Sequence, residues 1–563
     1  MLLIAQLPPP LPELRAGDAV RGDRITIEGQ RNSAVWLWQG RSTSRPERLW
    51  LPLNLLEAQL GFARSDQGRN NRLEWYGRQQ AIQSFQTKTL GDEVGLEVGD
   101  WLNKLGVSLK RQGNSLSLAL PTARLQQLRQ GKGATANRLV LDIDKPVFVQ
   151  RRGNDLRMDL RSDPQQQRSL QRFGLNPQQA GSVLTLKGQA SQLQVLTLAN
   201  PWRVVLDGIK QPAATATRPG PSRGLPLSDP AINALIRRGL VLERRTVRVG
   251  VKPLEVLRAG GDLSRLGLTL TPLAMAGSQQ GLRFLPQLSR PAGALVAING
   301  GFFNRIKQLP LGALRRNGTW LSGPILNRGV IAWGPNRPLA FGRLRLDQSL
   351  QVANGRSWGL GFLNSGYVQR GLSRYTPGWG PFYRSLSGNE RGILIRQGSV
   401  TEEYTSAQLA RGVSLPRGAD LVVARGGAPL PARKGDQAQV QLRSSNALGE
   451  QPNVLGGGPL LLQRGKVVLN GRGEGFSPGF VRQTAPRTVI GQGRGGTWML
   501  AIRGGAGSNP TLLETTLAMQ QLGLSDALNL DGGSSTTLVA GGRTLINGSG
   551  SSPRIHNGLG LVP

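Results

Sequence analysis

Few side chains in this sequence can do chemistry, and Asp531 stands in a setting suited to it. In Ala527-Leu-Asn-Leu-Asp-Gly-Gly-Ser-Ser-Thr-Thr-Leu-Val539 a short apolar strand runs into a carboxylate and then into Gly532 and Gly533. A carboxylate at a strand end can serve as acid, base or nucleophile, and the diglycine lets the backbone turn tightly or approach a ligand. The run Ala294-Leu-Val-Ala-Ile-Asn-Gly-Gly-Phe-Phe303 has the same form upstream, with Asn299 before Gly300 and Gly301. Two strands that each end in Asx-Gly-Gly suggest one cleft assembled from distant parts of the chain. Asx-Gly is also the commonest turn pair, so either run alone reads equally well as a turn.

The other candidates are sparse. There is no cysteine and one histidine, His556. This excludes disulfides, thiol nucleophiles and Cys/His zinc sites, and leaves a Ser-His-Asp triad only if His556 serves it. Imidazole chemistry rests on this one side chain, whose ordinary pKa near 6.5 suits general acid-base work, though a lone histidine on a terminal strand also reads as structural. From Glu243 onward there are fourteen Asp and Glu residues. Glu514 is a candidate second carboxylate, but Thr511-Leu-Leu-Glu514 also has the spacing of a helix capping box. Glu474, in the loop-like Gly471-Arg-Gly-Glu-Gly475, is the other candidate for the second carboxylate and reads equally well as a solvated residue. Asp531 and Asn299 would together suit a hard cation, Ca²⁺ or Mg²⁺, and the spacing does not decide between metal and acid-base use.

Around these groups the charge is strongly positive, with 70 basic against 33 acidic residues and a formal net charge of +37. The basic residues are mostly arginine and are scattered. A nucleic-acid partner would call for a dense basic stripe or a reading motif, and neither is present. Diffuse positive charge predicts loose attraction to anionic polymers such as phosphorylated or acidic glycans, or simply a solvated arginine-rich surface.

The elements that must position Asp531 are short strands. With 563 residues the chain is too long for one core, and 77 glycines with 36 prolines point to many strands and turns. The expected fold is multidomain and mainly β, with an α+β C-terminal domain. Residues 1–14 read as a residual signal peptide and spacer, since Met-Leu-Leu-Ile-Ala-Gln6 is apolar but too short for a complete signal. Residues 15–125 hold two units, each a short helix ending at Leu-Gly followed by alternating strands. Residues 126–210 alternate with period two, as in Arg138-Leu-Val-Leu-Asp-Ile-Asp144, which implies a half-buried sheet. Residues 211–228 form a proline-rich linker, and 229–563 one large β-rich unit with a helix near Thr511 to Leu522. No apolar run of about 18 residues suggests a transmembrane helix.

Three resemblances follow. The paired helix-strand units of 15–125 resemble the small stalk-like N-terminal domain of copper amine oxidases, without the histidines of copper chemistry. The phrases Arg138-Leu-Val-Leu-Asp-Ile-Asp-Lys-Pro146 and Pro201-Trp-Arg-Val-Val-Leu-Asp207 resemble the AMIN domain, an envelope-targeting β-sandwich, which implies a periplasmic or secreted, envelope-associated protein that contacts peptidoglycan.

In the C-terminal unit the order Ala297-Ile-Asn-Gly-Gly-Phe-Phe-Asn304, Gly456-Gly-Gly-Pro-Leu-Leu-Leu462, Pro486-Arg-Thr-Val-Ile-Gly491, Thr511-Leu-Leu-Glu514, Asn529-Leu-Asp-Gly-Gly-Ser-Ser-Thr536 and Arg554-Ile-His-Asn557 resembles the phosphodiester glycosidase family, which includes uncovering-enzyme-like catalytic domains. The resemblance implies hydrolysis of a sugar-1-phosphodiester in envelope or extracellular glycan. It implies Asp531, Glu514 and His556 as catalytic, and Asn299, Gly300, Gly301, Asn304, Arg487, Thr488, Gly532, Gly533, Ser534, Arg554 and Asn557 as substrate-binding. Arg487, Arg554 and the glycine-turn amides would face phosphate; Asn299, Asn304 and Asn557 would face sugar. The chain departs from the family at Arg503, where members usually carry an acidic residue, and at Ser534, where a third glycine usually stands. The alternative reading is a non-catalytic envelope-glycan-binding protein with a degenerate glycosidase domain.

Overall fold

The structure is a computed structural model. It describes residues 19–563 except 41–46, 66–71, 91–92, 132–136, 153–154, 189–192, 210–228, 336–337, 354, 505–508 and 549–552. The expected signal segment and proline-rich linker therefore lie outside the described residues. The protein is mainly β, in several sheets.

The first module is a seven-stranded sheet in the order Thr87–Leu90, Glu93–Glu97, Arg48–Pro52, Gln30–Gln39, Ala19–Ile27, Ser115–Ala119, Ser108–Gln112. Both expected helices are present and short. Leu53–Leu55 continues as a π-helical turn over Leu56–Leu60 and stops at Gly61 in the left-handed conformation, while Gly99–Lys104 gives way to Gly106 at φ +70°. Each stop frees the chain to return as strands. Trp36, Trp75 and Trp101 fill the core, and Trp75 stacks on Phe148 of the next module at 6.1 Å.

The second module forms an eight-stranded sheet whose central strands are Asp155–Arg161, Ala123–Gln130, Arg138–Ile143 and Arg203–Asp207. In Arg138–Ile143 and Asp155–Arg161 alternate side chains are buried, as period-two apolar patterning requires.

Two antiparallel sheets of the C-terminal module position the candidate site. One orders Val241–Val249, Lys252–Gly261, Gly496–Gly504, Arg487–Gly493, Leu524–Asn529, Leu460–Gln463 and Lys466–Val467. The other orders Thr269–Leu273, Gly558–Val562, Val296–Asn299, Thr537–Ala540 and Arg543–Asn547. They share one core, with Ile490, Met499 and Leu528 from the first beside Ile298, Leu538 and Leu559 from the second. Helix Leu512–Gln521 packs Ala518 and Met519 into a second cluster with Val489, Leu500 and Ile502. The module also has short helices that apolar periodicity does not announce, among them Pro230–Arg237, capped by Asp229. The segment from Leu524–Asn529 to Thr537–Ala540 crosses from one sheet to the other, and Asp531 sits in that crossing.

Candidate active site

Strand ends converge around Asp531. Val489 pairs with Asn529, which sets Arg487 and Thr488 beside the start of the crossing. Asn299 pairs with Gly558, which sets Asn557 beside the first Gly-Gly turn. Antiparallel register thus gathers four of the family-like motifs at one place.

Asn299, 1% exposed, ties them together. Its Nδ2 donates to the Asp531 carbonyl at 2.7 Å, and its Oδ1 accepts from Thr488 Oγ1 at 2.7 Å and from the Thr537 amide at 3.0 Å. Both lone pairs of Oδ1 are thereby filled. The expectation that Asn299 oxygen joins Asp531 in holding Ca²⁺ or Mg²⁺ is corrected on this ground. Among the described residues no group of three or more His, Asp or Glu side chains is placed to hold a metal ion.

The two Gly-Gly turns are stitched by backbone. The Asp531 amide donates to the Gly300 carbonyl at 2.9 Å, and the Gly300 amide donates to the Asn557 carbonyl at 2.9 Å. A Cβ on Gly300 would lie 2.1 Å from Asn557 Oδ1, and one on Gly301 would lie 2.3 Å from the Gly456 carbonyl. Glycine is required here by close approach, not by an unusual φ. Gly532 faces the Pro486 carbonyl and the Arg487 side chain, and the Gly533 amide donates to Pro486 O at 2.8 Å. Arg487 is itself buried, and its Nη2 donates to the Gln483 carbonyl at 2.6 Å. The Asp531 residue stays half-buried.

His556 is fully buried, with both ring nitrogens engaged. Nε2 lies 2.9 Å from the Gln279 carbonyl, which only accepts, so Nε2 carries the proton. Nδ1 then accepts from Asn557 Nδ2 at 3.1 Å, and Asn557 Oδ1 accepts from the Gly301 amide at 2.8 Å. Burial pushes the imidazole down to about 4, opposed in part by the Gln279 carbonyl, so the ring is neutral at neutral pH. In this state it orients Asn557 and, through it, the Gly300–Gly301 turn.

Glu514 completes the capping box, accepting from the Thr511 amide at 2.7 Å, and is ion-paired with Lys252 at 2.8 Å. Burial pushes its carboxyl up, but Lys252 and Thr511 bring it below the ordinary carboxylate range. Glu474 is not solvated: it is fully buried, accepts from the Gly329 and Leu460 amides and pairs with Arg343 at 2.9 Å. Asn304 closes a local turn by accepting from the Lys307 amide at 2.8 Å. Arg554, half-buried, lines a cavity at the junction of the three modules. Arg503 is ion-paired with Glu255 at 2.8 Å, a carboxylate it shares with Arg244, so its charge is partly offset.

Sequence reading missed the contribution of the first module. Glu93 accepts from Ser534 Oγ at 2.5 Å, and Arg305 donates to Ser534 and Ser535 at 3.3 and 3.0 Å while reaching Asn54 at 3.5 Å. A cavity of about 320 Å³ lies beside this contact, walled by Asn54, Gln59 and Glu93 on one side and by Pro486, Gly533 and Ser534 on the other. Glu93 lies 441 residues from Ser534 in the chain, and no local motif links them.

Residues 380–562, within the C-terminal module, match the phosphodiester glycosidase family model. The match begins after the Asn299 turn, whereas the motif order had suggested a span from residue 229. The chain as a whole belongs to one family with a hypothetical protein from Synechocystis of known crystal structure. The two are 31% identical with a TM-score of 0.56, over 96% of this chain and 99% of that one. A protein from Burkholderia pseudomallei K96243 is 16% identical over 81% of this chain and 97% of its own, with a TM-score of 0.46. The catalytic domain of zebrafish N-acetylglucosamine-1-phosphodiester alpha-N-acetylglucosaminidase is 13% identical over 57% of this chain and 83% of its own, with a TM-score of 0.31. No curated protein sequence matches the chain. Among the described residues no helix is long and apolar enough to cross a membrane.

Proposed function

We propose that the C-terminal module hydrolyses a sugar-1-phosphodiester in an anionic glycan of the cell envelope, with Asp531 as the catalytic carboxylate. The observation that carries this reading is the half-buried Asp531 at a sheet crossing, its backbone bound on both sides by Asn299 and Gly300, inside a segment that matches the phosphodiester glycosidase family. The reaction breaks the bond between the anomeric carbon and the phosphate oxygen; water supplies hydroxyl to the sugar and a proton to solvent, and a phosphomonoester departs. Such a leaving group is a weak base, with a second pKa of about 6, and departs without protonation. One carboxylate acting on water or on the anomeric carbon therefore suffices, provided cationic donors hold the phosphate. Arg487, against Gly532, is the proposed donor next to the turn, with the amide of Gly532. Ser534 lines the neighbouring cavity, and Asn299, Thr488, His556 and Asn557 act by positioning.

The first two modules are read as envelope anchors, the second as a peptidoglycan-contacting sheet, in a periplasmic or secreted protein. The test is release of free sugar from a panel of sugar-1-phosphodiesters by the full chain. Release that disappears in Asp531→Asn with an unchanged circular dichroism spectrum supports the reading; no release from any member, with or without divalent cations, overturns it.

A further inference from the structure

The cavity at the three-module junction, about 330 Å³, brings together side chains that no motif of the C-terminal module accounts for, Arg554 apart. Glu57 and Arg64 come from the first module, Arg151 from the second, Phe284 and Arg554 from the third. Glu57 pairs with Arg64 at 3.0 Å. Burial pushes the Glu57 carboxyl upward, yet Arg64, Arg554 and Arg305 together bring it below its ordinary value, so it is ionised. Glu74 and Asp207 also line the cavity, but Asp207 is already paired with Arg138 at 2.6 Å. With Asp207 taken by Arg138, three guanidinium groups, Arg64, Arg151 and Arg554, face Glu57 and Glu74.

This excess is buried. The Arg64 side chain is 1% exposed, and its Nη2 is shut off from solvent with no hydrogen-bond partner. Arg151 is 8% exposed; burial, with Arg554 nearby, brings it down to about 10. Arg151 and Arg554 both lie against the Phe284 ring, at 5.4 and 5.8 Å. A buried guanidinium with an unfilled donor is costly unless an acceptor arrives, and paired guanidiniums match the tetrahedral oxygens of phosphate. The volume exceeds that of a bare phosphate and falls at the lower end of the range for small-molecule sites.

We propose that this junction binds a phosphate carried on a hexose-sized group, held by Arg64, Arg151 and Arg554, and that the bound ligand ties the three modules together. The site is distinct from the Asp531 turn, and binding here needs no turnover.

The test is calorimetric titration of the full chain with glucose 1-phosphate, inorganic phosphate and glucuronate. Glucose 1-phosphate is expected to bind more tightly than inorganic phosphate, and glucuronate least, which separates phosphate from carboxylate recognition. Arg151→Gln should weaken glucose 1-phosphate at least tenfold, and Glu57→Gln, which removes a competing negative charge, should tighten it by about tenfold. Should Arg151→Gln fail to fold, the Glu57→Gln shift decides alone. Absence of saturable binding at millimolar ligand, or equal affinity in Glu57→Gln and the parent, overturns the proposal. Binding that is lost in folded Asp531→Asn would place the ligand at the Asp531 turn and also overturn it, whereas loss of hydrolysis with binding intact bears only on the catalytic reading.

Discussion

Asn299 and Asp531 lie 232 residues apart and are joined by a 2.7 Å hydrogen bond from the Asn299 carboxamide to the Asp531 main chain. The same carboxamide accepts from Thr488 and Thr537, so one buried side chain holds three strand ends around the carboxylate. Its role is to aim Asp531, and it does so through the Asp531 main chain.

Removing that carboxamide leaves several buried polar groups without partners. Asn299→Ala should cost about 3 kcal/mol of stability and at least tenfold in hydrolysis, and Asn299→Asp should cost as much because it sets an acceptor against the Asp531 carbonyl. Denaturant titration beside initial rates checks both. Stability within about 0.5 kcal/mol of the parent would refute the latch.

Gly300 offers a test that leaves every functional group in place. A methyl group there overlaps Asn557 Oδ1, which must shift and release the Gly301 amide. Gly300→Ala is expected to destabilise by roughly 2–4 kcal/mol, in the range of overpacked or broken buried contacts. A fully stable, fully active variant would show that the close approach of the two turns is dispensable.

His556 makes stability pH-dependent in a defined window. Its folded value of about 4 lies below the ordinary 6.5, so between these values the unfolded chain binds the extra proton. Its contribution is fully present above pH 6.5, falls as pH is lowered towards 4, and is flat below. The loss is on the order of 3 kcal/mol. Glu28 acts oppositely: burial raises its carboxyl to about 7, so its contribution is lost as pH rises from 4.5 to 7. Thermal melts of His556→Gln and Glu28→Gln across this range should therefore change slope in opposite directions, and parallel curves for parent and His556→Gln would count against a neutral, buried imidazole.

Glu514 and Asp531 should part company under the same conservative change. Glu514→Gln loses the Lys252 ion pair but can keep the cap, for a loss of about 1 kcal/mol and little change in turnover. Asp531→Asn should keep stability and lose turnover by roughly a hundredfold or more. Comparable loss of turnover in both would return Glu514 to the catalytic group.

Much of this was legible locally. Alternation in Arg138–Ile143, the capping box at Thr511 and Glu514, and the apolar strand running into Asp531-Gly-Gly are each written within a dozen residues, because side-chain period and cap geometry are short-range properties. Partnership was not. Glu474 reads as a loop residue, yet the fold buries it against two amides and Arg343. Arg503 reads as a charge reversal, yet Glu255 on the neighbouring strand meets it.

Local sequence carries the mainly β character of the chain, the Asx-Gly-Gly turns, and the single histidine and few C-terminal carboxylates that make Asp531 the one to watch. What surrounds it comes from the packing of distant strands: Asn299 as a latch, His556 as a neutral support, Glu93 against Ser534, and the arginines at the module junction. The reason is physical. Backbone propensity and periodicity act over a few residues, whereas burial, desolvation and hydrogen-bond partnership depend on which distant strands the packed sheets bring into register.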